Sequence, residues 1–210
     1  MSNSMRAICL NCTLKRSPEP TSTGSLAQVL LDALGEHDVA SEQIRLADHR
    51  VEPGVISEAV LEGDEWPDLR RRILAAEILI LATPTWLGQP SSIAKRALER
   101  MDALLSETYP GSDLPIAYNR VAGVVVTGNE DGAHHVITEV AGALIDIGYT
   151  VPGQAWTYWN RGPGPGEETW LTTEEREWTT TTARTAAGNL VAVARALQAS
   201  GMPTPSTSGS

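Results

Sequence analysis

Three short stretches of this chain carry residue types suited to gripping a ligand rather than cleaving it. The first, NCTLKRSPEPTSTGS from Asn11 to Ser25, gathers Thr13, Lys15, Ser17, Thr21, Ser22 and Thr23 directly ahead of an apolar-periodic segment. Hydroxyl donors, a cation and the unpaired N–H groups of a first helical turn together suit an anion, and the helix dipole favours negative charge at that end. No Walker sequence is present, and the same hydroxyls also serve as plain helix caps, so this stretch alone leaves both roles open. The second, Thr83 to Gln89, sets Pro84, Thr85, Trp86, Leu87 and Gly88 together, a flat apolar surface beside free backbone. It suits the edge of an aromatic ring, although a lone Trp86 is as well explained by a core or an interface. The third, TGNEDG from Thr127 to Gly132, has two glycines that allow close backbone approach, Asn129 at a turn position and Asp131 placed to cap the next helix. Taken together, the three imply a ligand with one phosphate and a large polar ring.

They can act together only if the elements before them end at one rim. Ile78 to Ala82 is an uninterrupted apolar run, as expected of a strand covered on both faces. Pro84 biases Thr83 to an extended conformation, and Pro90 suits the first residue of the next helix. In chain order the pattern predicts a strand at Met5–Leu10, a helix from about Ser25 to Glu36, and a weaker strand at Glu42–Leu46 nearer an edge. A helix starting at Asp64 or Trp66 leads to about Ala76, then the central strand, then a helix from Pro90 to about Ser106 with Ile93, Ala97, Leu98, Met101, Leu104 and Leu105 inward. A strand at Val121–Thr127 follows, a helix to about Ile147 with Leu144 and Ile145 inward, and a strand over Tyr149–Tyr158. The last helix has a capping-box pattern at Thr172 and Glu175 and an apolar face running from Trp178 to Leu197. Ile56–Leu61 suggests one further short helix, and Gly201–Ser210 a flexible tail behind a single domain of residues 1–200. Alternating βα units give an α/β fold, a doubly wound five-stranded parallel sheet of order 2-1-3-4-5 with helices on both faces. Its three strand-end loops then open on the carboxyl side near the switch point.

Composition narrows the partners. At 210 residues and 41% apolar the chain suits one domain, and its formal charge of -10 works against a nucleic-acid partner, because phosphate contacts need a concentrated basic face. The first residues lack an apolar signal core and Glu77 interrupts the longest apolar stretch, so no membrane partner is expected and the chain reads as cytoplasmic. The only cysteines, Cys9 and Cys12, form a CxxC, but a redox pair normally opens a helix and zinc needs a second pair. They fit thiols in a reducing compartment. His134 and His135 would point about 100° apart on a helix, a poor chelate for one ion. Lys95 and Arg96 could reach an anionic cofactor, but an exposed helix face with Glu99 nearby accounts for them.

LNCTLKRSP, LATPTWLGQPSSIAKRALERMD and VVVTGNEDGAHHV carry a resemblance to a known family. Over roughly residues 5 to 160 the chain resembles the flavodoxin-like NAD(P)H-dependent FMN reductases. That resemblance implies FMN and NAD(P)H as cofactors, with Thr13, Lys15, Ser22 and Thr23 at the FMN phosphate. It puts Pro84, Thr85, Trp86, Leu87 and Gly88 beside the ring and ribityl chain, and Thr127, Gly128, Asn129 and Asp131 at the pyrimidine edge. The first loop is longer than the Gly-Ser-rich version common in the family, so the choice among Ser17, Thr21, Ser22, Thr23 and Ser25 stays open. The implied reaction passes a hydride from NAD(P)H through FMN to a small-molecule electron acceptor, a quinone, a nitro compound or free flavin, with no catalytic side chain and no metal. Trp156 and Tyr158 are further candidates beside the acceptor, and a homodimer or homotetramer pairing across the site is implied as well. Two other classes remain: a flavodoxin-type electron carrier without direct NAD(P)H oxidation, and an interaction module that has lost its flavin. The resemblance reaches neither the Asn160–Gly166 connector nor the last helix.

Overall fold

The structure, a computed structural model, describes residues 5–205. Five parallel strands form one sheet: β1 (Arg6–Asn11), β2 (Ala40–Arg45), β3 (Ile78–Trp86), β5 (Val121–Gly128) and β6 (Trp156–Asn160), in the order β2-β1-β3-β5-β6. A two-residue strand β4 (Gln89–Pro90) folds back antiparallel on the end of β3. The helices are α1 (Ser22–Gly35), α2 (Trp66–Leu74), α3 (Ser92–Met101), α4 (Ala133–Ile147) and α5 (Glu177–Ser200). The expected order holds once β4 is set aside.

Period-2 alternation along the strands sorts the apolar residues into two layers. Ile8, Leu10, Leu79 and Leu81 pack under α2, α3 and α4. Ala7, Cys9, Ile78 and Ile80 pack under α1 and α5. β3 is buried along its whole central run, as a strand with helices on both faces must be. Cys9 and Cys12 fall into opposite layers, and burial pushes both thiols up, so both stay protonated and unpaired.

Several expectations fail for local reasons. Residues 51–65 form no helix: they wrap the fully buried Arg100, whose guanidinium donates to the carbonyls of Glu52 (3.0 Å) and Glu58 (2.7 Å) and to Asp64 Oδ2 (2.8 Å). A buried cation thus satisfies carbonyls that a helix would otherwise pair, and Ile56, Val60 and Leu61 are left exposed. α3 stops at Met101 and tightens into a 3₁₀ turn over Asp102–Ser106, whose three residues per turn swing Leu105 out to solvent. Pro90 does not open α3. It pairs with Thr85 in β4, and Ser91 is the cap, accepting from Ala94 N–H at 3.1 Å. Ile145 is exposed because the buried stripe of α4 runs through Val140, Leu144 and Ile147. Between Tyr149 and Ala155 only Thr150 bridges to the sheet, at Val121, so β6 starts at Trp156. The capping box is absent: Thr172 Oγ1 accepts from Thr169 N–H at 3.0 Å, and α5 begins at Glu177 with Trp178 exposed. Past α5, Met202 N–H donates to Asn119 Oδ1 at 2.6 Å, while residues 206–210 of the expected tail lie outside the described residues.

Candidate functional site

β1, β3 and β5 end side by side, so the three stretches singled out in the sequence meet at the carboxyl rim of the sheet. They enclose a cleft of about 350 Å³, within the roughly 300–1,000 Å³ usual for small-molecule sites. Two glycine contacts bind the second and third loops to one another. A side chain on Gly128 would lie 3.1 Å from Thr85 Cβ, and one on Gly132, whose φ of 109° already demands glycine, would lie 3.1 Å from Gly88 Cα. Gly88 N–H also donates to Glu130 Oε1 at 3.3 Å. The second and third loops therefore form one wall.

The first loop meets the same cleft through the start of α1. Thr21 is the N-cap, its hydroxyl accepting from Gly24 N–H at 3.0 Å, and the first intrahelical bond runs from Ser25 N–H to Thr21 C=O. α1 thus begins three residues earlier than expected, and Ser22 and Thr23 lie in its first turn, where backbone N–H groups have no intrahelical acceptor. No acidic side chain occupies that turn. An anion is favoured there by donors and dipole together. Thr23 Oγ1 and Thr127 Oγ1 share a buried hydrogen bond of 2.8 Å beneath the cleft, which ties α1 to the end of β5.

The rest of the loop is braced from outside. Ser17 donates through both N–H (2.8 Å) and hydroxyl (2.6 Å) to Asp48, and these bonds, the hydroxyl's foremost, hold the Asp48 carboxyl below the usual range. Arg45 donates to the Glu19 carbonyl at 2.8 Å, and Ser91 Oγ donates to the Cys12 carbonyl at 2.7 Å. Ser17 is therefore a brace, turned to Asp48.

Thr13, Lys15, Ser22, Thr23, Pro84, Thr85, Trp86, Thr127, Gly128 and Asn129 all line the cleft. Three expected residues do not. Leu87 is 92% exposed at the tip of the β3–β4 turn with φ of 53°, Gly88 supports Gly132 from behind, and Asp131 abuts Gly162. Lys15 does line it, yet its ammonium lies 2.5 Å from Glu19 Oε1 with both side chains about half exposed. The side chain of Asn129 is engaged by the chain itself: its Nδ2 donates to the Gly166 carbonyl (2.7 Å), and Gly166 N–H returns a bond to the Asn129 carbonyl (2.9 Å). This clasp fastens the segment between β6 and α5 across the third loop.

That segment supplies the lining residues the sequence did not disclose, Thr169 and Leu171, joined by Trp159 from β6. No periodicity marks them; the only signal was a Pro/Gly-rich connector too long to be a simple turn. A larger, open groove of about 910 Å³ runs beside them along the first turn of α5, between Tyr158, Arg161 and Trp178. The smaller cleft is the better candidate, because it holds the helix start and one telling atom. Thr85 is one of the residues lining the cleft, and its Oγ1 is buried with no hydrogen-bond partner. A hydroxyl in that position is stabilised by a ligand that offers it an acceptor or a donor.

The donor set and the orphaned hydroxyl fit a phosphorylated, hydroxyl-bearing ligand, and FMN has those groups. Residues 5–162 match the model of the family described as NADPH-dependent FMN reductase. The chain belongs to that family. An 8-demethyl-8-aminoriboflavin-5'-phosphate synthase of Streptomyces davaonensis is 36% identical over 172 residues, covering 77% of this chain and 66% of its own length. A divalent metal cation transporter, MntH, of Mycobacterium bovis is 41% identical over 166 residues, 77% of this chain but only 24% of that protein. The chain thus spans about a quarter of one curated relative and just under two thirds of the other. Among solved structures, RosB with the bound intermediate 8-demethyl-8-formylriboflavin-5'-phosphate superposes with a TM-score of 0.83 at 32% identity, over 95% of this chain and 82% of that one. The fold is accordingly flavodoxin-like. No described helix is long and apolar enough to cross a membrane, and no described group of three or more His, Cys, Asp or Glu side chains is placed to hold a metal ion.

Proposed function

We propose that this protein binds FMN in the 350 Å³ cleft and passes a hydride from NAD(P)H through it to a small acceptor, a quinone, a nitro compound or free flavin. One observation supports this above the others: the lining joins an anion seat to flat walls and contains no Asp, Glu, His, Cys or Tyr. Such a site suits the orienting of a bound cofactor. FMN, when bound, supplies the two-electron chemistry. The first turn of α1 and the Thr21–Thr23 hydroxyls would hold its phosphate, the Thr85 hydroxyl would meet a polar atom of the ribityl chain or ring, and Pro84 and Trp86 would flank the ring. Gly128 leaves room for close approach, and the Asn129–Gly166 clasp keeps Thr169 and Leu171 against the opposite side.

Trp86, 52% exposed, and Leu87 stand beside the mouth with Leu14, an apolar rim that supports pairing of two copies across the site as a homodimer or homotetramer. Two buried, unpaired thiols agree with a reducing, cytoplasmic setting.

The test is the purified protein. A flavin absorption spectrum after FMN addition, bleached by NADPH or NADH under anaerobic conditions and restored by a quinone, supports the proposal. Yellow protein inert to both nicotinamides points instead to an electron carrier. A second role is favoured by one specific observation: the likeness to RosB covers 95% of the chain, well past residue 162 where the family match ends. In that role the flavin phosphate is the substrate, altered at the 8-methyl group, and mass spectrometry of the flavin recovered after incubation distinguishes the two.

A further inference from the structure

The open groove of about 910 Å³ along the first turn of α5 has a chemistry different from that of the cleft. Tyr158, Trp159 and Trp178 give it aromatic walls, with the Tyr158 and Trp178 rings edge to face at 5.0 Å and Trp178 half exposed. Trp159 belongs to both sites. It lines the groove and the cleft, is 5% exposed, and its indole N–H makes no hydrogen bond among the described residues. The charge around these rings is negative: residues 167–177 hold five Glu and one Arg. Arg161 is held between Glu168 and Glu175. Arg176 donates to the carbonyls of Trp170 (2.9 Å) and Thr173 (3.1 Å) and lies 4.8 Å over the Trp170 ring. Glu177 offsets the dipole at the start of α5, and neither it nor Glu174 has an ion-pair partner among the described residues. Of the lining, only Tyr158 to Arg161 fall within the residues that match the family.

We infer that this groove holds the outlying part of the electron acceptor, and that it selects flat aromatic acceptors that are cationic or neutral over anionic ones. This rests on the reductase reading of the cleft. An acceptor with its reacting ring in the mouth of the cleft carries a substituent past Trp159 into the groove. There the ring faces attract a cation, and the indole N–H of Trp159 suits a carbonyl or nitro oxygen. Carboxylates gathered beside an aromatic wall repel an anionic substituent. Free FMN, with its phosphate, therefore ranks below a quinone or a nitro compound as acceptor.

The probes are two naphthoquinones with the same reacting ring, one bearing a quaternary ammonium side chain and the other a sulfonate. Each is titrated calorimetrically into the protein in the presence of FMN at low salt. Wild type is expected to bind the cationic one at least about ten-fold more tightly, and Glu174→Gln/Glu177→Gln to keep no more than about a three-fold preference. Trp178→Ala should weaken the cationic probe and hardly change the sulfonate. Asp113→Asn/Asp146→Asn removes the same charge at exposed positions outside the groove and should leave the preference intact. Equal affinities in wild type, a preference that survives in the Glu variant, or one lowered as much by the Asp pair overturns the assignment. Anaerobic stopped-flow with NADPH separates this from the reductase proposal. Wild type that shows the preference but leaves its FMN oxidised sinks the reductase and keeps a cation-selective groove. FMN that is bleached, in a protein that binds and reduces both naphthoquinones alike, keeps the reductase and sinks the groove.

Discussion

Thr85→Val tests whether the cleft is built for a polar ligand, because its effects on the empty and the loaded protein have opposite signs. The substitution keeps the branched shape that packs against Gly128 and removes only Oγ1, an atom that is buried without a partner. β3 is extended at this position, and valine is at ease there. In the empty protein, relieving a buried unsatisfied hydroxyl is worth about 1 kcal/mol, the low end of the desolvation range. For a chain of this size that raises the apo Tm by roughly 2–4 °C. With FMN present the variant lacks one hydrogen bond worth about 0.5–1.5 kcal/mol, so the Kd rises roughly two- to twelve-fold. Differential scanning fluorimetry with and without FMN, together with a fluorescence titration of FMN, reads both. A lowered apo Tm with unchanged FMN affinity would show that the hydroxyl has a partner within the protein, and the case for Thr85 as a ligand contact would go.

Asp64→Ala leaves Arg100 buried without its carboxylate and is expected to cost about 3–5 kcal/mol in urea unfolding, as broken buried pairs do. Burial alone would raise the Asp64 pKa, but bonds from the Val60 and Trp66 N–H groups and from Arg100 outweigh it, so the folded value lies below the unfolded one. Its stabilisation is then complete above about pH 4 and is lost as pH falls further, and Asp64→Asn should flatten that part of the acid-unfolding profile. Asn129→Ala removes the side-chain half of the clasp on Gly166 and leaves only the backbone bond from Gly166 N–H. Limited proteolysis between residues 161 and 176 should speed up, and FMN binding should weaken by about 1 kcal/mol through loss of the Thr169–Leu171 wall. Lys15→Ala should cost no more than about 1 kcal/mol of FMN affinity, since the ammonium must leave Glu19 to reach a phosphate and is half exposed. A loss several-fold larger in free energy would make Lys15 a principal phosphate ligand.

The sheet was legible because its signals are local and strong. β3 and β5 are apolar runs that only a two-sided burial explains, and α4 keeps its stripe for four turns. The cleft was legible to the extent that its donors belong to strand ends and a helix start, positions fixed by the same periodicities. What could not be read depended on partners distant in sequence. Nothing in residues 51–65 announces that their carbonyls converge on Arg100, a residue some forty positions on, and nothing in Asn129 announces Gly166. Arg96 is a sharper instance: its spacing from Glu99 suggests a helix-surface pair, whereas the fold turns it to Val51 and the rim of a pocket.

The family match ends at residue 162, yet the cleft is closed by Thr169 and Leu171, and Arg161 ties the start of that closing segment to Glu168 and Glu175. The loops proposed to hold a phosphate and flank a ring lie inside the matched residues, and most of the segment from Arg161 to Arg176 lies beyond them. Whatever separates a member that only relays electrons through its flavin from one that alters the flavin itself should lie along this wall, which touches the cleft without contributing to the anion seat. Grafting residues 161–176 from a reductase of the family onto this chain should leave FMN affinity within about three-fold, because the α1 donors are untouched, while changing which acceptors are reduced. A graft that abolished FMN binding would instead make the segment part of the grip, and the division drawn between holding and selecting would fail.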